Sequence, residues 1–452
     1  MIRKCWRLML LLALPVFIFS GTILAGAPDK PFRVGYDIYD LDIRMNSFVL
    51  KPKNTQYNLQ IDISCLPGTE NLPNLPVIYV TDGQWRRMDH KYVHYLTYKK
   101  IIPPVIVAAI GYTEADNADQ ARIVDLFVRP ERFLKEIKEE IIPRVEKAFS
   151  ADPAKRILFG ASLGGHFAAF AFLTNSLQSD ATFAGFLGAS PYLIQSNVFK
   201  LAQELAAQQR AIGAGLYLSY GANESESEYH SPNNTLFKLL EKNNWQGFRF
   251  FHHVYPNADH FDTTRLTLID GLRLLLGDER FKGVGAVDLD YRSYCYDFKT
   301  AAQYYDWKTN RFAANSLATD PQRSLDPDSG SFKVAADFSQ YRALNFETAS
   351  VYFPGFAERE VEANVYIPDD LARLGYSLKF LIYSTFTMPW IADTSESFPL
   401  QKSGWNTFRY QWRGKKAAGN LDRIRGFGVI VERPEKAPAW KGELFFDNIQ
   451  WQ

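Results

Sequence analysis

The chain has 452 residues, of which 46% are hydrophobic and 22% are charged, and its 51 Lys and Arg nearly balance its 50 Asp and Glu. A chain of this length exceeds what one hydrophobic core usually organises, so we expect two folded domains and little disorder. The formal net charge of +1 leaves no basic surplus, which argues against a nucleic-acid partner.

Residues 1–27 have the layout of a signal peptide. Three basic residues within the first seven positions precede an apolar run, which ends in small residues at Ala25–Ala27. Such a segment predicts export to the periplasm or beyond, followed by removal of the segment. Pro28 would hinder cleavage after Ala27, so an uncleaved anchor helix is the alternative. No later segment has eighteen continuous apolar residues, so no other membrane span is predicted.

Residues 30–280 alternate apolar strands with helices. Strands are predicted at 75–83, 103–112, 156–160, 183–191, 214–221 and 248–256, and helices at 129–150, 163–173, 197–210, 234–244 and 261–277. Strands that alternate with helices pair in parallel through right-handed crossovers. The predicted fold is therefore α/β, with an open, doubly wound and mostly parallel sheet.

After a predicted linker at 281–292, the pattern of residues 293–452 is different. Short alternating segments, rich in aromatic residues, are separated by Gly, Pro, Asn and Asp. This pattern predicts a second, all-β domain that folds as a sandwich.

A serine between glycines marks the junction of a strand and a helix in "RILFGASLGGHFAAF". A sharp turn there would lift the Ser162 hydroxyl above the sheet edge and place it at a helix N-terminus, where developing negative charge is stabilised. The alternative is a structural glycine turn with an incidental serine. The preceding strand, the following helix and the α/β context favour a nucleophile.

A serine nucleophile needs an acid and a base, and in an α/β-hydrolase sheet both follow it in the chain, the acid before the histidine. His260 lies in a polar loop before the last predicted helix, and we favour it over His230, His252 and His253. Glu224 ends the preceding strand and is the preferred acid. The alternatives Glu226 and Glu228 follow in the same loop.

The oxyanion that forms after attack needs two N–H donors. Leu163 directly follows the nucleophile, and Gln84 lies in the loop after the strand "PVIYVTDGQW". These two backbone N–H groups are the predicted oxyanion hole.

The order of "PVIYVTDGQW", "RILFGASLGGHFAAF", "YLSYGANE" and "PNADHF" resembles the bacterial family known as "putative esterases". This family includes siderophore, feruloyl and acetylxylan esterases and mycolyltransferases, and the resemblance covers roughly residues 35–275. It implies an α/β-hydrolase fold and a cofactor-free triad of Ser162, Glu224 and His260. Some members of the family have Asp as the acid or depend little on it.

Residues 290–452 resemble the carbohydrate-binding modules of glycan-active enzymes, through segments such as "YDFKTAAQYYDW" and "GELFFDNIQW". The resemblance implies a sandwich of the jelly-roll or galactose-binding-like kind. Trp390, Trp405 and Trp412 are candidates for a sugar-stacking platform, although sandwich cores also use Trp. Related sandwiches hold a structural calcium ion, for which Asp297 and Asp447 are the matching candidates.

These observations predict an exported serine esterase that deacylates a sugar-linked or polysaccharide ester through an acyl-enzyme. An acyltransferase with the same triad, a serine peptidase, and a glycan-binding protein with an inactive hydrolase domain are the alternatives.

Overall fold

The structure is a computed structural model of the chain. It describes residues 33–34, 38, 40–113, 115–208, 210–243, 245–277, 288–289, 294–298, 303, 307–309, 313–318, 323–325, 330–339, 341–348, 353–354, 360–383, 392–412, 423–424 and 426–451. The predicted signal segment and most of the predicted linker lie outside these residues, and the predicted domain boundaries stay predictions. Among the described helices, none combines the length and apolar character needed to cross a membrane.

An eight-stranded sheet forms the centre of the N-terminal region. Its strands in chain order are β1 (Arg44–Leu50), β2 (Leu59–Cys65), β3 (Leu75–Thr81), β4 (Ile106–Tyr112), β5 (Ala151–Ala161), β6 (Gly185–Ala189), β7 (Gly215–Gly221) and β8 (Arg249–Tyr255). Their order across the sheet is β1-β2-β4-β3-β5-β6-β7-β8. Strand β2 pairs antiparallel with β1 and β4, and the other neighbouring pairs are parallel. The α/β prediction with a mostly parallel sheet is confirmed.

The sequence analysis missed the two antiparallel strands at one edge of this sheet. The β1 sequence RMNSFVL is mostly exposed or half-buried, because an edge strand has only one neighbour. The inner strands β3, β4 and β7 are buried along their whole length. Their continuous apolar runs are typical of parallel strands covered on both faces, which made them visible in the sequence.

The described residues contain eight α-helices that accompany the sheet: α1 (Arg87–Tyr98), α2 (Ala118–Ile123), α3 (Pro130–Glu136), α4 (Ile142–Ala148), α5 (Leu163–Gln178), α6 (Val198–Ala206), α7 (Ser231–Glu241) and α8 (Asp262–Leu276). Wider π-type turns span Val124–Val128, Ile137–Ile141 and Glu226–His230, and 3₁₀ turns span Gly83–Trp85 and Leu371–Arg373. The predicted helix 129–150 is therefore α3, a π turn and α4. The π turn comes just before Pro143, which lacks the N–H that a regular helix would use.

The C-terminal region contains two antiparallel sheets. In spatial order, the first contains Ala313–Ala318, Ser331–Asp337, Lys441–Trp451, Glu360–Ile367 and Gly404–Gln411, with Tyr294–Tyr296 beside Lys441–Trp451. The second contains Trp307–Thr309, Ala343–Thr348, Gly426–Glu432, Ser377–Tyr383 and Ala392–Thr394, with Phe398–Pro399 beside Ser377–Tyr383. Two short pairs, Arg33–Val34 with Asp288–Leu289 and Phe353–Pro354 with Arg423–Ile424, lie outside these sheets.

The two C-terminal sheets pack face to face through aromatic rings. Phe346 of the second sheet lies with its ring centroid 4.5 Å from Phe332 and 4.3 Å from Phe446, both in the first sheet. A β-rich region of antiparallel strands is therefore present. Its jelly-roll or galactose-binding-like character stays a prediction.

The α/β region and the β-rich region contact each other directly. The Arg87 guanidinium on α1 donates to the Trp307 carbonyl at 3.0 Å, and the Gln303 amide donates to Asp40 at 3.2 Å. Buried side chains of α1 and α8 belong to the same contiguous apolar cluster as the aromatic rings between the two C-terminal sheets. The interface between the two regions therefore lies on the face of the large sheet that α1 and α8 cover.

Candidate active site

Ser162 occupies a strained turn between β5 and α5. Its backbone has φ 59° and ψ −115°, which L-residues rarely adopt outside functional turns. The Ser162 N–H donates to the Ala189 carbonyl at 2.8 Å, which ties the turn to the end of β6. The side chain is half-buried, so the hydroxyl is not sealed inside the protein.

The glycines of the turn are required by close backbone contacts. A Cβ atom at Gly160 would lie 2.2 Å from the Gly164 carbonyl oxygen, and one at Gly164 would lie 2.3 Å from Thr81 Oγ1. Thr81 ends β3, so the loop after β3 lies against the first turn of α5. The serine is thereby placed beside that loop and at the N-terminus of a 16-residue helix.

The predicted oxyanion donors flank this turn. Leu163 is the first residue of α5, where the N–H groups have no partner inside the helix. Gln84 lies in the 3₁₀ turn after β3, and its side-chain Oε1 accepts from the Tyr112 N–H at 3.2 Å. A Cβ atom at Gly111 would lie 2.5 Å from the Gln84 nitrogen, so only glycine lets the loop approach this closely.

Glu224 and His260 are joined directly. Glu224 Oε2 and His260 Nδ1 lie 2.9 Å apart, and the Glu224 side chain is only 1% exposed. Its other oxygen, Oε1, accepts from the Gly221 N–H at 2.7 Å and from the Ser190 hydroxyl. A buried carboxylate with these donors is held in one orientation, which fixes the imidazole ring and leaves Nε2 as its outward nitrogen.

Neither alternative acid contacts His260. Glu226 is largely exposed and pairs with His230 at 3.0 Å and with the Ser231 hydroxyl. Glu228 is also exposed, and its backbone N–H donates to Ser225 Oγ. Of the three loop glutamates, Glu224 is the one that contacts His260 in the described structure.

The other histidines are engaged elsewhere. His230 contacts the Gly221 carbonyl and Glu226, His252 contacts Glu241, and His253 packs on Tyr255. His166 is one turn along α5 from the serine, but it is buried and its Nδ1 lies 2.9 Å from the Leu126 carbonyl. Burial lowers the pKa of His166 to about 4, and the contact with Leu126 opposes the shift.

No hydrogen bond joins Ser162 Oγ to the His260 ring in the described structure. Tyr229 lies beside both residues: its ring centroid is 4.5 Å from that of His260, and its phenol is near enough to the Ser162 side chain for Ser162 to oppose the rise in the phenol pKa. The distance between a nucleophile and its base is often longer before substrate binds. The three predicted residues therefore lie at one edge of the sheet, with one of the two expected contacts formed.

Ser190 and Tyr229 belong to this site and were missed in the sequence. Ser190 is fully buried, has φ 42°, and its hydroxyl contacts both Glu224 and Thr263. Ser190 directly follows strand β6, at the same sheet edge as Ser162, and this position could have drawn attention to it. Tyr229 lies five residues after Glu224, but its sequence carries no signal that it folds back over His260.

The structure corrects one of the predicted sugar-stacking residues. Trp412 is only 6% exposed and its ring packs edge-on against Tyr410, so neither face is open to a sugar ring. Trp405 is half-buried and lies 5.7 Å from Tyr366. Trp390 lies outside the described residues. Trp405 is thus the one described candidate that keeps an accessible surface.

The calcium candidates Asp297 and Asp447 come from neighbouring strands, since Tyr296 pairs with Ile449. Asp447 is fully buried, and its two oxygens accept from the N–H groups of Leu325 and Asn448 at 2.8 and 2.7 Å. Within the described part of the chain, no three or more His, Cys, Asp or Glu side chains form a group that could hold a metal. Backbone N–H donors do not suit a cation, so this set does not fit calcium.

The comparisons with known proteins concern the α/β region. Residues 55–274 match the family model described as "Putative esterase". No curated protein matches the chain.

Several solved structures cover about half of the chain. The BES protein from Bacillus cereus is 26% identical, with a TM-score of 0.46, and the match covers 52% of this chain and 95% of that one. The siderophore hydrolase EstB from Aspergillus nidulans is 18% identical, with a TM-score of 0.45 and coverage of 52% and 96%. The IroE-like serine hydrolase from Shewanella oneidensis is 21% identical, with a TM-score of 0.45 and coverage of 52% and 80%.

Residues 55–274 are thus similar in sequence to the family described as "Putative esterase", and they form most of the α/β region with its mostly parallel sheet.

Proposed function

We propose that the protein is a serine carboxylic-ester hydrolase that works through an acyl-enzyme. Ser162 is the nucleophile, His260 the base, Glu224 the acid, and the N–H groups of Gln84 and Leu163 the oxyanion hole. The observation that carries the proposal is the buried Glu224–His260 hydrogen bond at the sheet edge that presents Ser162 in a strained turn.

In this mechanism Ser162 Oγ attacks the ester carbonyl carbon while His260 Nε2 takes the serine proton. Glu224 holds the ring tautomer through Nδ1 and stabilises the imidazolium that forms. The negative charge on the carbonyl oxygen is stabilised by the two N–H donors and by the N-terminus of α5. His260 then gives the proton to the departing alcohol, and water releases the acid by the same steps in reverse.

A fluorophosphonate probe, together with a panel of acetyl, feruloyl and longer acyl esters, tests this function. The wild-type protein should be labelled and should hydrolyse at least one ester, whereas Ser162→Ala should do neither. Ser227→Ala changes an exposed serine nearby and is the matched control. Equal labelling of wild type and Ser162→Ala would overturn the nucleophile assignment. Hydrolysis rates with added sugar alcohol distinguish a hydrolase from an acyltransferase.

For the substrate we propose a sugar-linked acyl ester. This proposal depends on the resemblance of the C-terminal region to carbohydrate-binding modules and on the half-buried ring of Trp405. Full-length Ser162→Ala, which cannot turn over an ester, should be retained on acetylated or feruloylated glycans. Trp405→Ala in the same background should weaken retention, and a protein that no glycan retains would refute the carbohydrate part.

We also propose export of the protein, on the layout of residues 1–27. The N-terminal sequence of the protein purified from the periplasm or medium should begin near residue 28. The Asp447 contacts do not fit a structural calcium ion, so the melting temperature should not change when a chelator is added.

A further inference from the structure

Tyr229 is placed on the reactive side of the proposed triad. It lies in the π turn Glu226–His230, and its ring covers that of His260 with centroids 4.5 Å apart and an angle of 40° between the planes. Its phenol is near enough to the Ser162 side chain for Ser162 to oppose the rise in the phenol pKa. One side chain thus lies beside both groups that exchange the proton.

This position of Tyr229 is fixed by the surrounding chain. The Asn233 side-chain amide, which is fully buried, donates to the Tyr229 carbonyl at 2.8 Å and to the Pro191 carbonyl at 2.9 Å. On the other side, His230 Nε2 lies 3.1 Å from the Gly221 carbonyl at the end of β7. The C-terminal end of the π turn is therefore tied to the segments that follow β6 and end β7, and these contacts hold the Tyr229 ring over His260.

The phenol is a hydrogen-bond donor at neutral pH. Burial raises the pKa of Tyr229 to about 12, with help from the nearby carboxylates of Glu224 and Glu228, while the contact with Ser162 opposes the shift. A protonated phenol can donate to an oxygen that gains negative charge, and such charge-assisted bonds are stronger than neutral ones.

We propose that Tyr229 is a further catalytic residue, whose phenol donates a hydrogen bond to the leaving alcohol oxygen during acylation. The inference rests on the proposed esterase function. The departing alcohol oxygen must come close to His260 Nε2, because it receives its proton from that nitrogen. A side chain that lies beside both Ser162 and the His260 ring is therefore close to the departing oxygen as well.

The acylation step balances without a proton from the phenol. The bond from Ser162 Oγ to the carbonyl carbon forms, and the bond from that carbon to the alcohol oxygen breaks. The serine proton travels through His260 Nε2 to the alcohol oxygen. Tyr229 keeps its own proton and stabilises the charge that builds on that oxygen before protonation is complete.

The test is the dependence of rate on the leaving group in Tyr229→Phe, which keeps the ring over His260 and removes only the hydroxyl. For an acetate ester with a poor alkyl leaving group, kcat/KM of the variant should fall by about tenfold, which corresponds to the loss of one hydrogen bond. p-Nitrophenyl acetate, whose leaving group needs little help, should change by less than about twofold. This difference separates hydrogen bonding to the leaving oxygen from a general loosening of the site.

Tyr220→Phe is the matched control. Tyr220 lies next to the same π turn, its ring packs on His230 at 4.8 Å, and its hydroxyl donates to Asn234 at 2.9 Å. Its removal should leave the ratio of the two rates as in wild type. Equal losses on both esters in Tyr229→Phe, or no loss on either, would overturn the inference. A wild-type protein that hydrolyses no ester of the acetyl, feruloyl and longer-acyl panel would instead refute the proposed function itself, and if another acyl group of that panel is preferred, the two leaving groups are compared on that acyl group.

Discussion

At the scale of single residues, three contacts hold the side chain of Glu224, the proposed triad acid. Glu224 accepts from a backbone N–H, from Ser190 and from the imidazole, and its side chain is sealed from solvent. Ser190 itself adopts a left-handed backbone conformation that is unfavourable for serine. A strained backbone conformation persists only where the surrounding contacts stabilise it. Here the Ser190 hydroxyl contacts Glu224 and Thr263, and the contact with Glu224 holds the carboxylate.

Ser190→Ala should lower kcat by about tenfold and leave KM nearly unchanged. The hydroxyl is a positioning group that contacts the acid from behind, so its loss removes one hydrogen bond from a buried carboxylate without changing substrate contacts. Steady-state kinetics on an ester from the panel measures this, with Ser227→Ala as the exposed control. A rise in KM at constant kcat would contradict the positioning role.

Asp125 is a second residue with an uncommon environment. It is 2% exposed, and burial, reinforced by the charge of Glu136 and opposed by the Tyr112 phenol, raises its pKa to about 7. The ordinary value is 3.8, so between these two pH values the folded protein keeps a proton that the unfolded chain has lost. Stability contributed by this group therefore falls as pH rises towards 7.

Asp125→Asn should remove this pH dependence. The amide is neutral at every pH, so the free energy of unfolding of the variant, measured relative to wild type, should rise from pH 4 to about pH 7 and then level off. Urea unfolding at several pH values measures the difference. Asp119→Asn, an exposed carboxyl in α2, should show no such trend. A difference that does not vary with pH would contradict the assignment.

At the scale of elements, the turn between β5 and α5 depends on two glycines that pack on each other and on β3. A methyl group at Gly160 would meet backbone atoms of Gly164, which cannot move aside as a flexible side chain can. The close contacts at Gly160 and Gly164 therefore do two things: they let β3, β5 and α5 pack together, and they hold the turn that presents Ser162.

Gly160→Ala should destabilise the protein by roughly 3 kcal/mol and abolish fluorophosphonate labelling of the soluble fraction, because overpacking shifts the turn. Gly213→Ala is the control, since a Cβ atom there would meet nothing within 4 Å. Thermal melting and labelling of both variants measure the effect. A Gly160→Ala protein with wild-type melting and labelling would show that the turn is not tightly packed.

At the scale of the whole molecule, the two regions share an apolar cluster, and Arg87 donates across their boundary to Trp307. Regions that share buried apolar surface tend to lose it together on unfolding. The β-rich region is therefore a part of the packed structure, not only an appendage.

The full-length chain should unfold in one calorimetric transition. Arg87→Ala should lower the temperature of that transition, because it removes a hydrogen bond across the boundary, whereas Arg132→Ala, at an exposed position, should not. Two transitions, with only one of them shifted by Arg87→Ala, would show that the regions unfold separately.

The sequence by itself determined the parallel sheet, the serine turn and the positions of the candidate acid and base. These features depend on short local patterns: buried strands are continuous apolar runs, and a strained turn needs glycines beside the serine. The edge strand β1 was missed because its one-sided burial leaves no such run.

Where several residues of the same type lie close together in the sequence, only the tertiary structure showed which of them makes a given contact. The loop glutamates are alike in sequence, yet Glu224 alone reaches His260 in the described structure, because the fold brings together the ends of β7 and β8. Trp412 and Trp405 lie close in sequence, but only packing showed that the first is buried. The roles of Ser190 and Tyr229 also depend on contacts between residues distant in the chain, which no local pattern encodes.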